Sequence, residues 1–315
     1  MKKFLVTGAA GFIGSHSVDH LLNQGHAVIG VDNLYSGHLS NLAAAGLSSR
    51  FEFVEGDLCD ENWLTALFRD YEFDGVLHLA ALVSVPKSFQ EPTLNYRVNL
   101  AATDSLARLC VEYNCKRLIF ASSAAVYGDA AVLPSRESDE PRPLSPYAAA
   151  KLASEIMLLG YSESYGLETV CFRYFNVYGA RQDPGSPYSG VLSIFSERFR
   201  AGLPVTVYGD GEQTRDFVSV TDIACANCRA LTIDKVVNGR YNVCAGYSIS
   251  LNRVLTIYRE AYPDAPVPRY AAARVGDIRH SLGDSSRMKH MLGIETLTPF
   301  EQGLRALIAV PEPLA

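Results

Sequence analysis

The stretch Thr7-Gly8-Ala9-Ala10-Gly11-Phe12-Ile13-Gly14 constrains the fold more than any other part of the chain. It follows the apolar run Phe4-Leu5-Val6 and opens a helical pattern, so its glycines fall at a strand-to-helix turn. There the missing side chains let main chain approach a pyrophosphate at a helix N-terminus. The spacing is G-x-x-G-x-x-G, displaced by one residue from G-x-G-x-x-G. Asp32 closes the next β-run, 18 residues beyond Gly14. At that place a carboxylate accepts hydrogen bonds from the adenosine ribose hydroxyls and repels a 2'-phosphate, which favours NAD over NADP. Asp57, in Gly56-Asp57-Leu58, is a candidate for meeting the adenine, with an exposed loop aspartate as the alternative.

From Lys3 to Phe175, short β-branched runs alternate with longer helical patterns, the rhythm of a parallel sheet wound by crossover helices. Six runs are expected as strands: 4–6, 28–31, 51–54, 76–79, 118–120 and 169–172. Helical periodicity is clearest over Leu94 to Tyr113 and Tyr147 to Tyr165. Beyond residue 175 the pattern breaks into short strands, turns and helices. The expected fold is therefore α/β: a Rossmann-type doubly wound parallel sheet over 1–175, then a smaller mixed α/β substrate lobe over 176–315, with an approximate boundary and some chain crossing back.

Composition removes other classes. A chain of 315 residues, 48% hydrophobic and 20% charged, is ordinary for a globular enzyme. A net charge of -6 gives no general attraction to nucleic acid. No apolar run reaches membrane-spanning length and the N-terminus leads straight into a strand, so a cytoplasmic protein is expected. The seven cysteines suit a reducing compartment. Cys225 and Cys228 form a C-x-x-C inside a helical pattern with no second pair, and His16 and His20 lack a third ligand, so no metal site is expected.

Tyr147 and Lys151 stand four apart at the start of a helix, hence on one face, where an ammonium can lower a phenol's pKa. Ser122-Ser123 ends the fifth run, where the carboxyl ends of strands gather around a cofactor crevice. A hydroxyl, a tunable phenol and a lysine beside a nicotinamide can move a proton and a hydride together. Ordinary strand-end hydrogen bonding is the alternative for the two serines.

Together with the glycine motif, His78-Leu79-Ala80-Ala81, Ser122 to Gly128, Ser145 to Lys151 and Arg173 to Gly179 resemble the extended short-chain dehydrogenase/reductase superfamily over nearly the whole chain. Ala80 to Ser88, Tyr178 to Pro184 and Gly276 to Ser281 resemble the bacterial UDP-N-acetylglucosamine 4-epimerases most closely, beside the UDP-glucose 4-epimerases. The resemblance implies Ser123, Tyr147 and Lys151 as the catalytic set. It implies an NAD site formed by Gly8, Gly11, Phe12, Ile13, Gly14, Asp32, Asn33, Asp57, Leu58, Leu79, Ala80, Ala81, Asn99, Ser122, Tyr147, Lys151 and Tyr174. For a UDP-sugar it implies Ser84, Ser123, Tyr147 and Asn176, with Arg215 and Arg274 on the pyrophosphate and Asp277 on the nucleoside ribose. Val191, Phe195 and Tyr208 match positions near the uridine, with packing in the lobe's core as the alternative. Ser281 matches a position that is tyrosine in some UDP-galactose 4-epimerases and small where N-acetylated sugars are accepted.

By the same resemblance, a 4,6-dehydratase carries an acid pair directly after the active-site hydroxyl, where this chain has Ala124 and Ala125. What remains is reversible oxidation at one carbon: 4-epimerisation of UDP-GlcNAc/UDP-GalNAc, or of UDP-Glc/UDP-Gal. A nucleotide-sugar reductase and a non-catalytic dinucleotide-binding protein are the competing readings. The two long helices match a pair that builds a dimer interface in relatives, so a homodimer is expected.

Overall fold

A computed structural model describes residues 1–183, 190–273, 278–294 and 297–309. Its first half alternates strand and helix: β1 (Lys3–Thr7), α1 (Phe12–Asn23), β2 (Ala27–Asp32), β3 (Phe51–Glu55), α2 (Glu61–Asp70) and β4 (Gly75–His78). Then come α3 (Val85–Gln90), α4 (Pro92–Tyr96), α5 (Ala102–Glu112), β5 (Arg117–Ser123), α6 (Pro146–Tyr165) and β6 (Glu168–Tyr174). All six expected strands form, five of them over the whole expected run and slightly beyond it; the fourth, expected over 76–79, is shifted to Gly75–His78 and leaves Leu79 in the loop that follows. The helix expected over Leu94 to Tyr113 is interrupted by a π-helical turn over Arg97–Ala101.

The second half contributes β7 (Asn176–Tyr178), α7 (Val191–Arg200), β8 (Thr206–Tyr208), β9 (Thr214–Arg215), β10 (Phe217–Ser219), α8 (Val220–Thr232) and β11 (Gly239–Val243). β11 returns to pair in parallel with β6, giving the sheet a seventh strand. The order is β11-β6-β5-β4-β1-β2-β3. Strand order reverses between β1 and β4, and that switch point opens a crevice at the strands' carboxyl ends.

Side chains alternate across the sheet, so each strand feeds two cores. Phe4, Val6 and Val28 pack with Val18 and Leu21 of α1 and Ile223 and Leu231 of α8. Leu5, Ile29 and Val31 pack with Leu64 of α2, Leu106 of α5 and Leu158 of α6 on the other face. A third cluster, built on Phe195, Phe199 and Tyr258, fills the second lobe. α6 begins where Ser145 accepts a hydrogen bond from the Ala148 N–H at 3.1 Å, with Pro146 as its first residue, and stops at Gly166 in the left-handed region.

Arg117 locks the halves together. It is buried at the start of β5, donates to Glu168 Oε2 at 2.6 Å, and reaches the carbonyls of Ala230 (2.9 Å), Ile233 (2.6 Å) and Lys235 (3.2 Å) between α8 and β11. Arg117→Met strands these acceptors and Glu168, so it should cost about 3 kcal/mol. Urea unfolding checks this; an unchanged midpoint contradicts it.

Candidate active site

The crevice is shaped by glycines. Gly8 has φ +69°, and a Cβ there would lie 2.7 Å from the Ala80 main-chain nitrogen, so the turn after β1 touches main chain after β4 directly. A Cβ on Gly14 would lie 1.9 Å from the Gly8 carbonyl oxygen, and one on Gly11 would lie 3.2 Å from the same atom. The motif is thus a folded cradle at the α1 N-terminus, with Phe12 and Ile13 in the helix's first turn. Asp32 ends β2 and accepts from the N–H groups of Ala10 (3.0 Å) and Leu34 (2.9 Å), while burial raises its pKa. A Cβ on Gly37 would lie 2.9 Å from both Asp32 carboxylate oxygens, so glycine keeps the space beside that carboxylate clear. This cradle and its acidic end fit the diphosphate and adenosine ribose of NAD.

Other NAD candidates surround it. Asn33 and Asp57 are exposed on the loops after β2 and β3, and each caps its own turn, Asn33 through the Tyr35 N–H (3.1 Å) and Asp57 through the Cys59 N–H (2.9 Å). Leu58 is buried behind Asp57. Leu79, Ala80 and Ala81 form the loop after β4, which Asn99 of the π-turn clamps: its amide takes the Leu82 N–H at 2.9 Å and donates to the Leu82 carbonyl at 3.1 Å. Tyr174 is largely buried and donates to Asn227 at 2.6 Å, so its hydroxyl is engaged with α8.

Ser123, Tyr147 and Lys151 converge at the end of β5. The Ser123 hydroxyl faces the Tyr147 phenol closely enough to act on its titration. The Lys151 ammonium donates to the Ala121 carbonyl at 2.7 Å, with its nitrogen 4.7 Å from the Phe120 ring centre and 5.9 Å from that of Tyr147. Burial raises the Tyr147 pKa and the Ser123 hydroxyl pulls it down. The expected lowering therefore comes from the serine here, and burial outweighs it. Lys151 is itself pulled down to about 7 by burial. Ser123 also accepts from the Ala125 N–H at 3.2 Å, and the turn after it holds Ala124 and Ala125 with no carboxylate.

Ser122 turns its hydroxyl away from this group, onto Glu155 at 2.5 Å. Glu155 and the Arg173 it pairs with were not singled out as functional in the sequence, and neither was His78. His78 is fully buried between Thr7 (2.8 Å) and Thr103 (3.0 Å), and burial lowers it to about 3, so it is neutral.

The substrate candidates divide. Asn176 begins β7 and is exposed; it follows β6 directly, so it leads away from the same strand edge. Arg215 ends β9, and the Ser281 N–H donates to the neighbouring Thr214 carbonyl at 3.1 Å, which sets Arg215 and Ser281 side by side. Asp216 anchors this arrangement: it has no exposed surface, and accepts from the N–H groups of Ala245 (2.7 Å), Gly246 (3.1 Å) and Gly283 (3.2 Å). Burial pushes it up to about 6. Ser84 is buried and caps α3 through the Lys87 N–H at 2.9 Å. Phe195 is 2% exposed in the lobe's core against Phe199 and Tyr258, whereas Val191 is half-buried and Tyr208 exposed. Arg274 and Asp277 lie outside the described residues. His16, on α1, bonds the Ala180 carbonyl at 2.9 Å and so ties the loop after β7 to the cradle helix.

A parallel sheet with a glycine cradle at its switch point and, beside it, a half-buried serine against a buried tyrosine and lysine defines a dinucleotide-dependent enzyme. The model of the NAD dependent epimerase/dehydratase family matches residues 4–244. A UDP-glucose 4-epimerase of Mycolicibacterium smegmatis is 38% identical over 303 residues, 95% of each chain. A UDP-N-acetylglucosamine 4-epimerase of Methanobrevibacter ruminantium, solved with UDP-N-acetylmuramic acid, superposes with a TM-score of 0.90 at 40% identity, over 98% of this chain and 97% of that one. The UDP-glucose 4-epimerase of Thermus thermophilus, solved with NAD, gives 0.86 at 38% identity over 97% of both. The chain belongs to the NAD dependent epimerase/dehydratase family, and NAD is its cofactor.

Lys151 gives a stability test. Unfolded, it keeps its proton up to 10.5; folded and without cofactor, it releases it at about 7. The buried charge therefore penalises the fold fully below 7, and the penalty falls as pH rises towards 10.5. Between pH 7 and 9, cofactor-free wild type should gain about 2 kcal/mol relative to Lys151→Met. A difference that does not vary with pH contradicts this.

Proposed function

We propose that the protein is a UDP-sugar 4-epimerase acting on UDP-GlcNAc and UDP-GalNAc. The observation that carries the reaction type is the Ser123–Tyr147–Lys151 group at the end of β5, followed by Ala124 and Ala125 in place of an acid. Eliminating water from a sugar needs a general acid, and without one beside Ser123 the set is limited to reversible oxidation. Held by the Gly8–Gly14 cradle and Asp32, NAD would supply a reversible hydride acceptor for the sugar C4. Tyr147, as phenolate, takes the proton of the 4-hydroxyl and later gives it back. Ser123 hydrogen-bonds the same oxygen and favours the phenolate, while Lys151, where it keeps its proton, adds to that and holds the nicotinamide ribose. The 4-keto sugar turns over in the pocket between the two transfers, so net redox change is zero and the cofactor stays bound.

Arg215 and Arg274 receive the pyrophosphate, with Asn176 as a further donor, because guanidinium forks match phosphate oxygens. Asp277 accepts from the nucleoside ribose, and Ser84 hydrogen-bonds near the sugar. Val191 and Tyr208 stand by the base, with Phe195 supporting them from the core. The acetylated substrate is favoured by Ser281, whose small side chain beside Arg215 leaves room for an acetamido group. The UDP-glucose/UDP-galactose pair is the second reading, supported by relatives named UDP-glucose 4-epimerase.

Among the described residues no helix is long and apolar enough to cross a membrane. With its free thiols, that supports a cytoplasmic setting. A homodimer is supported by Phe89, Tyr96, Ile156 and Leu159, apolar residues exposed on α3, α4 and α6.

Tyr147→Phe should bind NAD and retain under a few per cent of turnover; more than that refutes the proton-transfer role. Ser281→Tyr should depress activity on UDP-GlcNAc more than on UDP-glucose, and equal losses count against the specificity assignment. In sedimentation the protein should run at twice its 34.4 kDa chain mass, and a monomer contradicts the dimer.

A further inference from the structure

Beside Lys151 lies a buried charge cluster that the proton and hydride transfers do not use. Glu155 stands one helical turn beyond it on α6, with no exposed side-chain surface. Arg173 of β6, equally buried, donates to it twice, Nε to Oε1 at 3.0 Å and Nη2 to Oε2 at 2.7 Å. Ser122, at the end of β5, donates to Oε1 at 2.5 Å, and the Arg240 guanidinium of β11 stands 4.0 Å from Oε2. One carboxylate therefore ties α6 to three neighbouring strands. The guanidinium of Arg173 lies 4.8 Å from the Tyr127 ring centre, and Tyr127 donates to Asn242 of β11 at 2.6 Å.

Stability alone is a poor account of this cluster. A buried ion pair pays heavy desolvation, and well-packed apolar residues of similar volume often serve a fold as well or better. The placement is more informative. Ser122 precedes Ser123 in the chain, and Glu155 shares its helix with Tyr147 and Lys151, so the Ser122–Glu155 bond joins the two pieces of main chain that must stay in register for proton transfer.

We propose that Glu155 is a positioning residue for the proton-transfer site: it holds the β5 end against α6 and, as the carboxylate next to Lys151, keeps that ammonium charged. This rests on the reading of Ser123, Tyr147 and Lys151 given above. The groups facing Lys151 leave Glu155 as the carboxylate among them. β4 offers His78, which is neutral, and β5 offers the Ala121 carbonyl and the Phe120 ring. β6 and β11 bring Arg173 and Arg240, both on Glu155, and Cys171, which burial keeps as a thiol. Tyr147 completes the set on α6 itself. Burial draws Lys151 towards its neutral form and the charge of Glu155 opposes that.

The test compares NAD-loaded wild type, Glu155→Gln and Ser122→Ala. It reads the pH profile of kcat on a UDP-sugar, and the ultraviolet tyrosinate band of Tyr147 as a difference from Tyr147→Phe in each background. Glu155→Gln should lower the maximum of the profile and shift both its limbs, with KM little changed. The limb set by Lys151 should fall by about one pH unit, and Tyr147 should ionise at higher pH by a similar amount. Ser122→Ala should lower kcat several-fold and leave both limbs in place. Where Glu155→Gln does not fold, Glu155→Gln/Arg173→Gln removes both buried charges and is read the same way. A profile and tyrosinate titration that superimpose on wild type overturn the proposal and leave Glu155 a structural ion pair. Wild type that holds NAD but turns over no UDP-sugar fails the functional reading instead; the tyrosinate titration needs no turnover and still decides the role of Glu155.

Discussion

A lysine ammonium taken out of water at the carboxyl edge of a parallel sheet is the constraint around which this structure is arranged. Such a charge is costly unless neighbours compensate it. Here a main-chain carbonyl accepts from it at 2.7 Å, an aromatic face lies 4.7 Å away, and a carboxylate sits one turn along its helix. Each of those partners belongs to an element with another duty. β5 delivers Ser123, and α6 delivers Tyr147. Satisfying the ammonium therefore also assembles the proton-transfer group.

The same sheet edge creates the cofactor crevice, through contact rather than through charge. Gly8 and Gly14 let three main-chain segments pass at distances that any side chain would close, which opens the α1 N-terminus to a diphosphate. The second lobe is bound to this frame at several points. β11 extends the sheet beyond β6, Arg117 grips the end of α8, and His16 holds the loop after β7. Asp216 then collects three main-chain N–H groups and fixes the strand that ends in Arg215 beside Ser281.

Much of this was legible in the sequence because it depends on local chemistry. Glycine spacing, Asp32 at a strand end and Tyr147 four residues before Lys151 are periodic signals, and the structure brings them into one crevice. The seventh strand was not legible, since Gly239–Val243 is a short run whose partner lies some 70 positions earlier and pairs only through tertiary contact. Nor was the interruption at Arg97–Ala101, because a single wide turn is too short to be told from the helical pattern on either side of it. Ser122 and Ser123 are identical in type and adjacent, yet strand alternation points one at Glu155 and the other at Tyr147. Phe195 could be read as lining a pocket or filling a core, and its neighbours Phe199 and Tyr258 place it in the core.

The proposed reaction, oxidation and reduction at sugar C4 on NAD that stays with the protein, needs no added cofactor. Proton NMR of the purified protein with UDP-GlcNAc alone checks this. Signals of UDP-GalNAc should grow in at the expense of UDP-GlcNAc with the total constant. An unchanged spectrum with UDP-GlcNAc and again with UDP-glucose, from protein shown to contain NAD, would contradict it.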